Sequence, residues 1–426
     1  MIHQWAKDQN VAGMTSEIKK LPDKTPLIFF EIKATEPSNT NTVLMYGHMD
    51  KQPPLTETWA PGLHPYKPVI RDGKLYGRGG ADDGYSLFSA IVSIKALQLQ
   101  GIPHARIVIL IEGSEESGSP DLVDYITFYE KQIGSPTLIV CLDSGAGNYD
   151  QFWTTTSLRG LISGDLTVKI LNEGCHSGTA SGVIPSSFRI LRLLLDRIED
   201  SQTGEIKVPE LFTEVPVFRK EEIKKCSVSL GDTVYKEMAL VEGAKPVTLD
   251  VAQLIENRTW KPTLSITGVD GIPHTSVAGN VLRTHTTVKL SIRVPPRVDA
   301  DAAVAALQKV LTANPPYGAH VQFTADKAKA GFEAPELSPW LDGALKKASQ
   351  FYMGNPPNFL GEGGSIPFMG MLREKYPQAQ FVITGVLGPQ SNAHGPNEFL
   401  HIPFAKQVTG CVASILADHQ AHFAKL

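Results

Sequence analysis

"RIVILIEGSEESG" occupies Arg106–Gly118. An unbroken apolar run stops at a glycine and then places Glu115 beside Glu116. A run of this length and composition predicts a strand buried on both faces, as in a parallel sheet covered by helices. On its own, a Glu-Glu pair after such a strand is a solvated turn. Its neighbours change that reading, because other strand-like runs end in the same way. "TVLMYGHMD" (42–50) delivers His48 and Asp50, and "TLIVCLDSG" (137–145) delivers Asp143. "FVITGVLGPQSNAHGPNE" (381–398) leads to His394. "KPVIRDGKLYGRGGADDG" (67–84) predicts a hairpin that turns at Asp72-Gly73 and carries Asp82 and Asp83 to the start of a helix. In that helix Leu87, Ile91, Ile94 and Leu97 keep helical spacing, and Gly101 ends it. The carboxyl ends of strands in an open parallel sheet share one edge, where ligand sites form.

The middle of the chain has another rhythm. "GLISGDLTVKIL" (160–171) and "TVKLSIRV" (287–294) alternate apolar and polar residues, as half-exposed strands do. "SSFRILRLLLDRIED" (186–200) and "DADAAVAALQKVL" (299–311) are amphipathic helices. The stretch 201–261 is mixed and charged, with no assignable pattern. The expected class is α/β. A catalytic domain of residues 1–159 and 332–426, with a largely parallel central sheet flanked by helices, is interrupted by an inserted α+β domain at 160–331.

Bulk properties exclude several function classes. The chain has 426 residues, 42% of them hydrophobic, which is enough for a large core. A net charge of −4 offers no footprint for nucleic acid, and no polybasic run suggests a membrane surface. No apolar run approaches the ~18 residues that would span a bilayer. The four cysteines are dispersed, which fits a reducing compartment, and the N-terminal stretch lacks the features of a signal peptide. A cytoplasmic protein is the expectation.

Clustered carboxylates repel one another, and divalent cations compensate them. Two histidines with three or four carboxylates form a mixed nitrogen and oxygen set that suits zinc, with manganese or cobalt as alternatives. One carboxylate beyond the ligands would serve as general base. "GRGGAD" is a poor dinucleotide loop, because Asp82 stands at the third glycine position. No G-x-S-x-G elbow supports a serine hydrolase.

Seven stretches in this order, "GHMDKQPP", "GRGGADDG", "EGSEESGS", "CLDSG", "CHSGTASG", "GEGGSIP" and "NAHGPNE", resemble metallopeptidase family 20, the co-catalytic zinc aminoacylase and carnosinase family. That family also holds glutamate carboxypeptidases and succinyl-diaminopimelate desuccinylase. The resemblance runs from about Thr42 to the C-terminus, and "CHSGTASG" with "GEGGSIP" draws it toward the dipeptidase branch. It implies a phosphorylase/hydrolase-like catalytic domain and two zinc ions held by His48, Asp82, Glu116, Asp143 and His394. Asp82 matches the bridging carboxylate, and Asp83 matches a non-ligand. Asp50 matches the residue that orients His48. Glu115 matches the base that takes a proton from the attacking water and passes it to the leaving amine. The inserted domain matches a lid that also joins a homodimer. His176 matches a lid histidine that reaches the neighbouring subunit's site and stabilises the oxyanion. Asn280, Arg293, Gly363, Gly364 and Ser365 match substrate-binding positions, with Arg293 suited to a terminal carboxylate.

Gly84 and Gly361 stand where many relatives carry cations, and relatives begin with roughly one more helix and a strand. The expected activity is hydrolysis of an amide in a small amino-acid derivative, most of all a dipeptide. The alternative is an N-acyl-amino-acid deacylase such as succinyl-diaminopimelate desuccinylase. A non-catalytic descendant would have lost the base or a ligand, and Glu115, Glu116 and His394 are all present.

Overall fold

The computed structural model describes residues 1–364 and 366–424. Strands are numbered in chain order. Six form the central sheet, in the order β1 (Met14–Lys19), β2 (Leu27–Ile32), β6 (Arg106–Glu112), β3 (Thr42–His48), β7 (Pro136–Cys141) and β17 (Gln380–Ile383). β6, β3, β7 and β17 run parallel, while β2 pairs antiparallel with both β6 and the edge strand β1. Every residue of β3 is buried, because helices cover both faces. Val43 and Met45 point to one face and pack with Ile91, Leu341 and Phe404 from the helices Ser86–Leu99, Pro339–Met353 and Ile402–Phe423. Leu44 and Tyr46 point to the other face and pack with Tyr125 and Leu372 from the helices Leu122–Phe128 and Pro367–Lys375. The period of two along one strand thus serves two cores, and the expected α/β class holds.

A second sheet is antiparallel, in the order β11 (Thr263–Asp270), β13 (His285–Val294), β9 (Gly160–Lys169) and β14 (His320–Ala325). The helices Ser187–Ile198 and Ala300–Thr312 pack on it around Leu166, Leu194, Leu290 and Leu307, a core of its own. Both helices start on a side-chain cap, Ser186 accepting from Arg189 N and Asp299 from Ala302 N.

One part of the expected insert lies elsewhere. The helices Val217–Leu230 and Val251–Trp260 place Ile223, Cys226, Leu230, Ile255 and Trp260 in the same core as Val43 and Phe404. This corrects the boundary of 160–331 as one continuous inserted unit. The two helices cover a three-stranded sheet of β15 (Phe332–Glu333), β8 (Trp153–Leu158) and β16 (Asn358–Glu362), which is too small to bury its own faces.

The predicted hairpin forms from β4 (Val69–Arg71) and β5 (Lys74–Tyr76), with Asp72 and Gly73 both at positive φ, and β18 (Phe399–His401) adds to β5. A short ribbon pairs β10 (Cys175–His176) with β12 (Val281–Leu282). No helix among the described residues is long and apolar enough to cross a membrane.

Candidate metal centre

Parallel pairing brings the chemistry to one edge. His48 ends β3, Glu115 and Glu116 follow β6, and Asp143 follows β7. The run that begins at Phe381 leaves the sheet after Ile383. It passes Ser144 so closely that a Cβ on Gly385 would lie 1.7 Å from the Ser144 carbonyl oxygen. That crossing turns the chain toward His394, whose backbone sits at φ 66°, a left-handed conformation uncommon for a residue with a Cβ. Gly47 permits a second close approach: a Cβ there would lie 2.6 Å from Asp83 Oδ2.

Asp82 stands at the centre of the group. Its Oδ1 lies 3.3 Å from His48 Nε2, and its Oδ2 lies 2.9 Å from His394 Nε2. Asp143 Oδ1 is 3.8 Å from His48 Nε2, and Glu116 Oε2 is 3.4 Å from His394 Nε2. Two donor sets, His48 with Asp143 and His394 with Glu116, therefore share one carboxylate. A tetrahedral ion bonded at ~2.0–2.1 Å separates its ligands by about 3.3 Å, close to these spacings. Glu116 Oε1 is also buried without a hydrogen-bond partner among the described residues. The residues fit a pair of divalent cations. Asp83 also comes within reach of His48 and Asp143, but its Oδ2 accepts from the backbone N–H of His48 at 3.1 Å.

Without cations the carboxylates crowd one another. Burial, then the charge of Asp143, pushes the Glu115 carboxyl up to about 8. Burial and Asp82 raise Glu116, and burial and Asp143 raise Asp83. Burial works against charge on His48, but contacts with Asp143, Asp50 and Asp82 raise it far above the usual imidazole range. For Asp82, bonds with His394 and His48 outweigh burial and hold the carboxyl low. The bond to Asp82 raises His394.

An outer layer fixes these groups. Asp50 Oδ1 lies 3.4 Å from His48 Nδ1, and its two oxygens accept from the backbone N–H groups of Glu115 and Glu116 at 3.1 and 2.9 Å. Gln52 Nε2 donates to Glu116 Oε2 at 2.6 Å. Sequence reasoning assigned no role to Glu398, although it closes a quoted motif. It is fully buried and accepts from Arg78 Nη1 at 2.7 Å and from the N–H groups of Gly79, Ala81 and Asp82 at 2.9, 3.3 and 3.2 Å. It ties the segment carrying His394 to the turn carrying Asp82.

The expected substrate residues fall into two groups. His176 and Asn280 meet on the exposed β10–β12 ribbon, where Ser177 N donates to Asn280 O at 2.9 Å. No hydrogen bond among the described residues ties His176 to the metal-site residues of its own chain. Arg293 lies on β13, opposite Thr263 of β11 and Leu161 of β9. Arg159, missed in the sequence, bridges toward it, donating to Thr263 Oγ1 at 2.9 Å and to the Gly363 carbonyl at 3.2 Å. Arg258, also missed, passes the same loop: a Cβ on Gly363 would lie 3.1 Å from Arg258 Cγ. Burial, then Arg293 and Arg258, push Arg159 down to about 10. Gly364 is exposed, and Ser365 lies outside the described residues. A cavity of about 280 Å³ lies beside Arg258; Gly145, Leu230, Glu237, Glu362 and Leu387 also line it.

The chain is 25% identical over 382 residues to a cysteinylglycine-S-conjugate dipeptidase of Corynebacterium striatum, covering 86% of this chain and 79% of that protein. It is 28% identical over 394 residues to a human Beta-Ala-His dipeptidase, covering 85% and 73%. The solved structure of the dipeptidase Dug1p from Saccharomyces cerevisiae superposes with a TM-score of 0.76 at 24% identity, covering 98% of this chain and 90% of that one. Residues 44–418 match the model of peptidase family M20/M25/M40, and the chain belongs to that family.

Proposed function

We propose that the chain is a metal-dependent dipeptidase acting on small dipeptides with a free C-terminus. The observation that carries this reading is Asp82, one carboxylate facing two histidines and thereby two donor sets. Two zinc ions, with manganese or cobalt as alternatives, would be held by His48, Asp82 and Asp143 and by Asp82, Glu116 and His394. Bound cations supply an acidified water and polarise the scissile carbonyl. Glu115, half-buried beside them and not itself a ligand, accepts the proton of the attacking water and returns it to the leaving nitrogen. Asp50 keeps His48 and the Glu115–Glu116 turn in register.

Arg293 takes the α-carboxylate, and Gly363, Gly364 and Ser365 form the wall beside it. Asn280 and His176 act from the lid of a second copy. An exposed apolar series supports that homodimer: Ile266 and Val269 on the edge strand β11, then Ile272, Val277 and Val281. The four free cysteines support a cytoplasmic setting. Arg258 is the one feature that favours N-deacylation of a succinylated amino acid, since a succinyl group needs a further cation. Glu362 and Glu237, on the same cavity wall, favour the ammonium of a dipeptide, as do the names of the relatives. Amine release from a panel of dipeptides and from N-succinyl-diaminopimelate, with zinc and with manganese, decides. Turnover of the succinyl compound above every dipeptide would reject the reading.

A further inference from the structure

Three guanidiniums gather where the family resemblance pointed to one. Arg159 spends its donors on protein oxygens, those of Gly363, Lys261 and Thr263. Arg258 and Arg293 do not: Arg258 Nε and Arg293 Nη1 are buried without a hydrogen-bond partner among the described residues. Buried charge without a counter-charge is costly, and arginine does not escape by losing its proton near neutral pH. Glu362 and Glu237 line the cavity with Arg258, but neither forms an ion pair with it. An acidic side chain on a substrate would supply Arg258 with the partner that the described residues do not.

We infer that this cleft reads a second negative charge on the substrate: beyond the α-carboxylate assigned to Arg293, Arg258 takes an aspartyl or glutamyl side chain of the dipeptide. The inference rests on the dipeptidase reading above. It makes Arg258 a specificity residue, with Arg159 positioning the Gly363 loop beside it. The cavity is large enough for such a side chain, and Leu230 and Leu387 offer its methylenes an apolar wall.

The test uses the full chain loaded with manganese or zinc and measures kcat and KM on matched pairs. Asp is compared with Asn, and Glu with Gln, at each position of a dipeptide whose other residue is Ala; N-succinyl-diaminopimelate is run alongside. At one position the acidic member should exceed its amide partner by about 10- to 100-fold in kcat/KM, the range of a charged hydrogen-bonded pair, and mainly through KM. Arg258→Met should collapse that ratio toward one, and Arg258→Lys should keep part of it, since a lysine retains the charge without the fork. Hydrolysis of neutral dipeptides with an acid-to-amide ratio near one in the unmodified protein would overturn this inference and leave the dipeptidase reading intact. An unchanged ratio in Arg258→Met would also overturn it. Hydrolysis of no dipeptide, or preference for the succinyl compound, would overturn both.

Discussion

Two crowds of like charge occur in this molecule, and they are built differently. At the sheet edge the carboxylates are held from behind: Asp50 binds a ring and a turn at once, Glu398 gathers four donors, and Gln52 grips Glu116. Elsewhere Arg258 and Arg293 keep buried nitrogens without a hydrogen-bond partner among the described residues. A site for resident ions can be braced, because its ligands need not move during turnover. A site for a transient ligand must keep its donors free, because the ligand supplies their partners and then leaves. On the proposed reading, the carboxylate crowd would hold cations that stay, and the guanidinium crowd would take anions that pass through.

The sharpest way to break this contrast lies within the glutamate pair. Glu115→Gln should retain both metal ions and lose on the order of 10² to 10⁴ in kcat. Glu116→Gln should instead lose metal, as measured by elemental analysis after dialysis. The opposite pattern would exchange the two roles. The pH profile adds a direction. Glu115 must be ionised to act as base, so activity falls as pH falls through its titration. That carboxyl is raised to about 8 when no cation is beside it, and bound cations favour its ionised form. The acid limb of kcat/KM should therefore lie below pH 8.

Next in size is the brace. Glu398→Gln keeps the shape but removes the charge that pairs with Arg78 and faces three backbone N–H groups. Outer supports of this kind typically contribute 10- to 100-fold in metal affinity or activity. Metal titration of the variant should show that loss, with Glu398→Asp recovering part of it. Unchanged affinity would mean that the turn holds Asp82 without help.

Part of the proposed metal site was legible in the chain: His48, Glu116 and Asp143 stand at or just past the ends of apolar runs that parallel pairing sends to one edge, whereas Asp82 arrives on a hairpin and His394 lies well past its strand. Glu398 was not, although it stands four residues after His394, because its partners Arg78–Asp82 lie some 320 residues earlier in the chain. Arg258 was hidden for another reason. It sits in the helix Val251–Trp260, within the stretch that showed no pattern. The preceding helix explains that silence: Val217–Leu230 buries Arg219 together with Ile223 and Cys226. Arg219 pairs with Glu222 and Glu333 at 2.8 and 3.3 Å, so a charged residue occupies a core position and masks the apolar period. The inserted boundary failed with it, since packing rather than chain order decides which core a segment joins.

A smaller effect is expected at the other crowd. Arg293→Lys keeps the charge but loses the planar fork, so a carboxylate would be held by one point instead of two. KM for dipeptides should rise by about 10-fold, within the range for a bond to a charged group, while kcat changes little and metal content stays full. A matching loss of metal would join the two crowds into one unit and end the contrast drawn between them.

The smallest effect should come from Gln52, and it asks which oxygen of Glu116 matters. Gln52 donates to Oε2, while Oε1 is buried with no partner among the described residues. If Oε1 is the atom left for a cation, Gln52 only steadies the far side of the carboxylate. Gln52→Leu then removes one hydrogen bond to a charged group, worth about 1.5–3 kcal/mol, but the bond forms with or without a cation, so only a fraction of it, roughly 2- to 10-fold, should appear in metal affinity. The carboxylate keeps its place because its backbone N–H remains bound to Asp50. Competition for metal against a chelator of known strength measures this. A loss as large as that of Glu116→Gln would show that Oε2, fixed by Gln52, is the oxygen that binds.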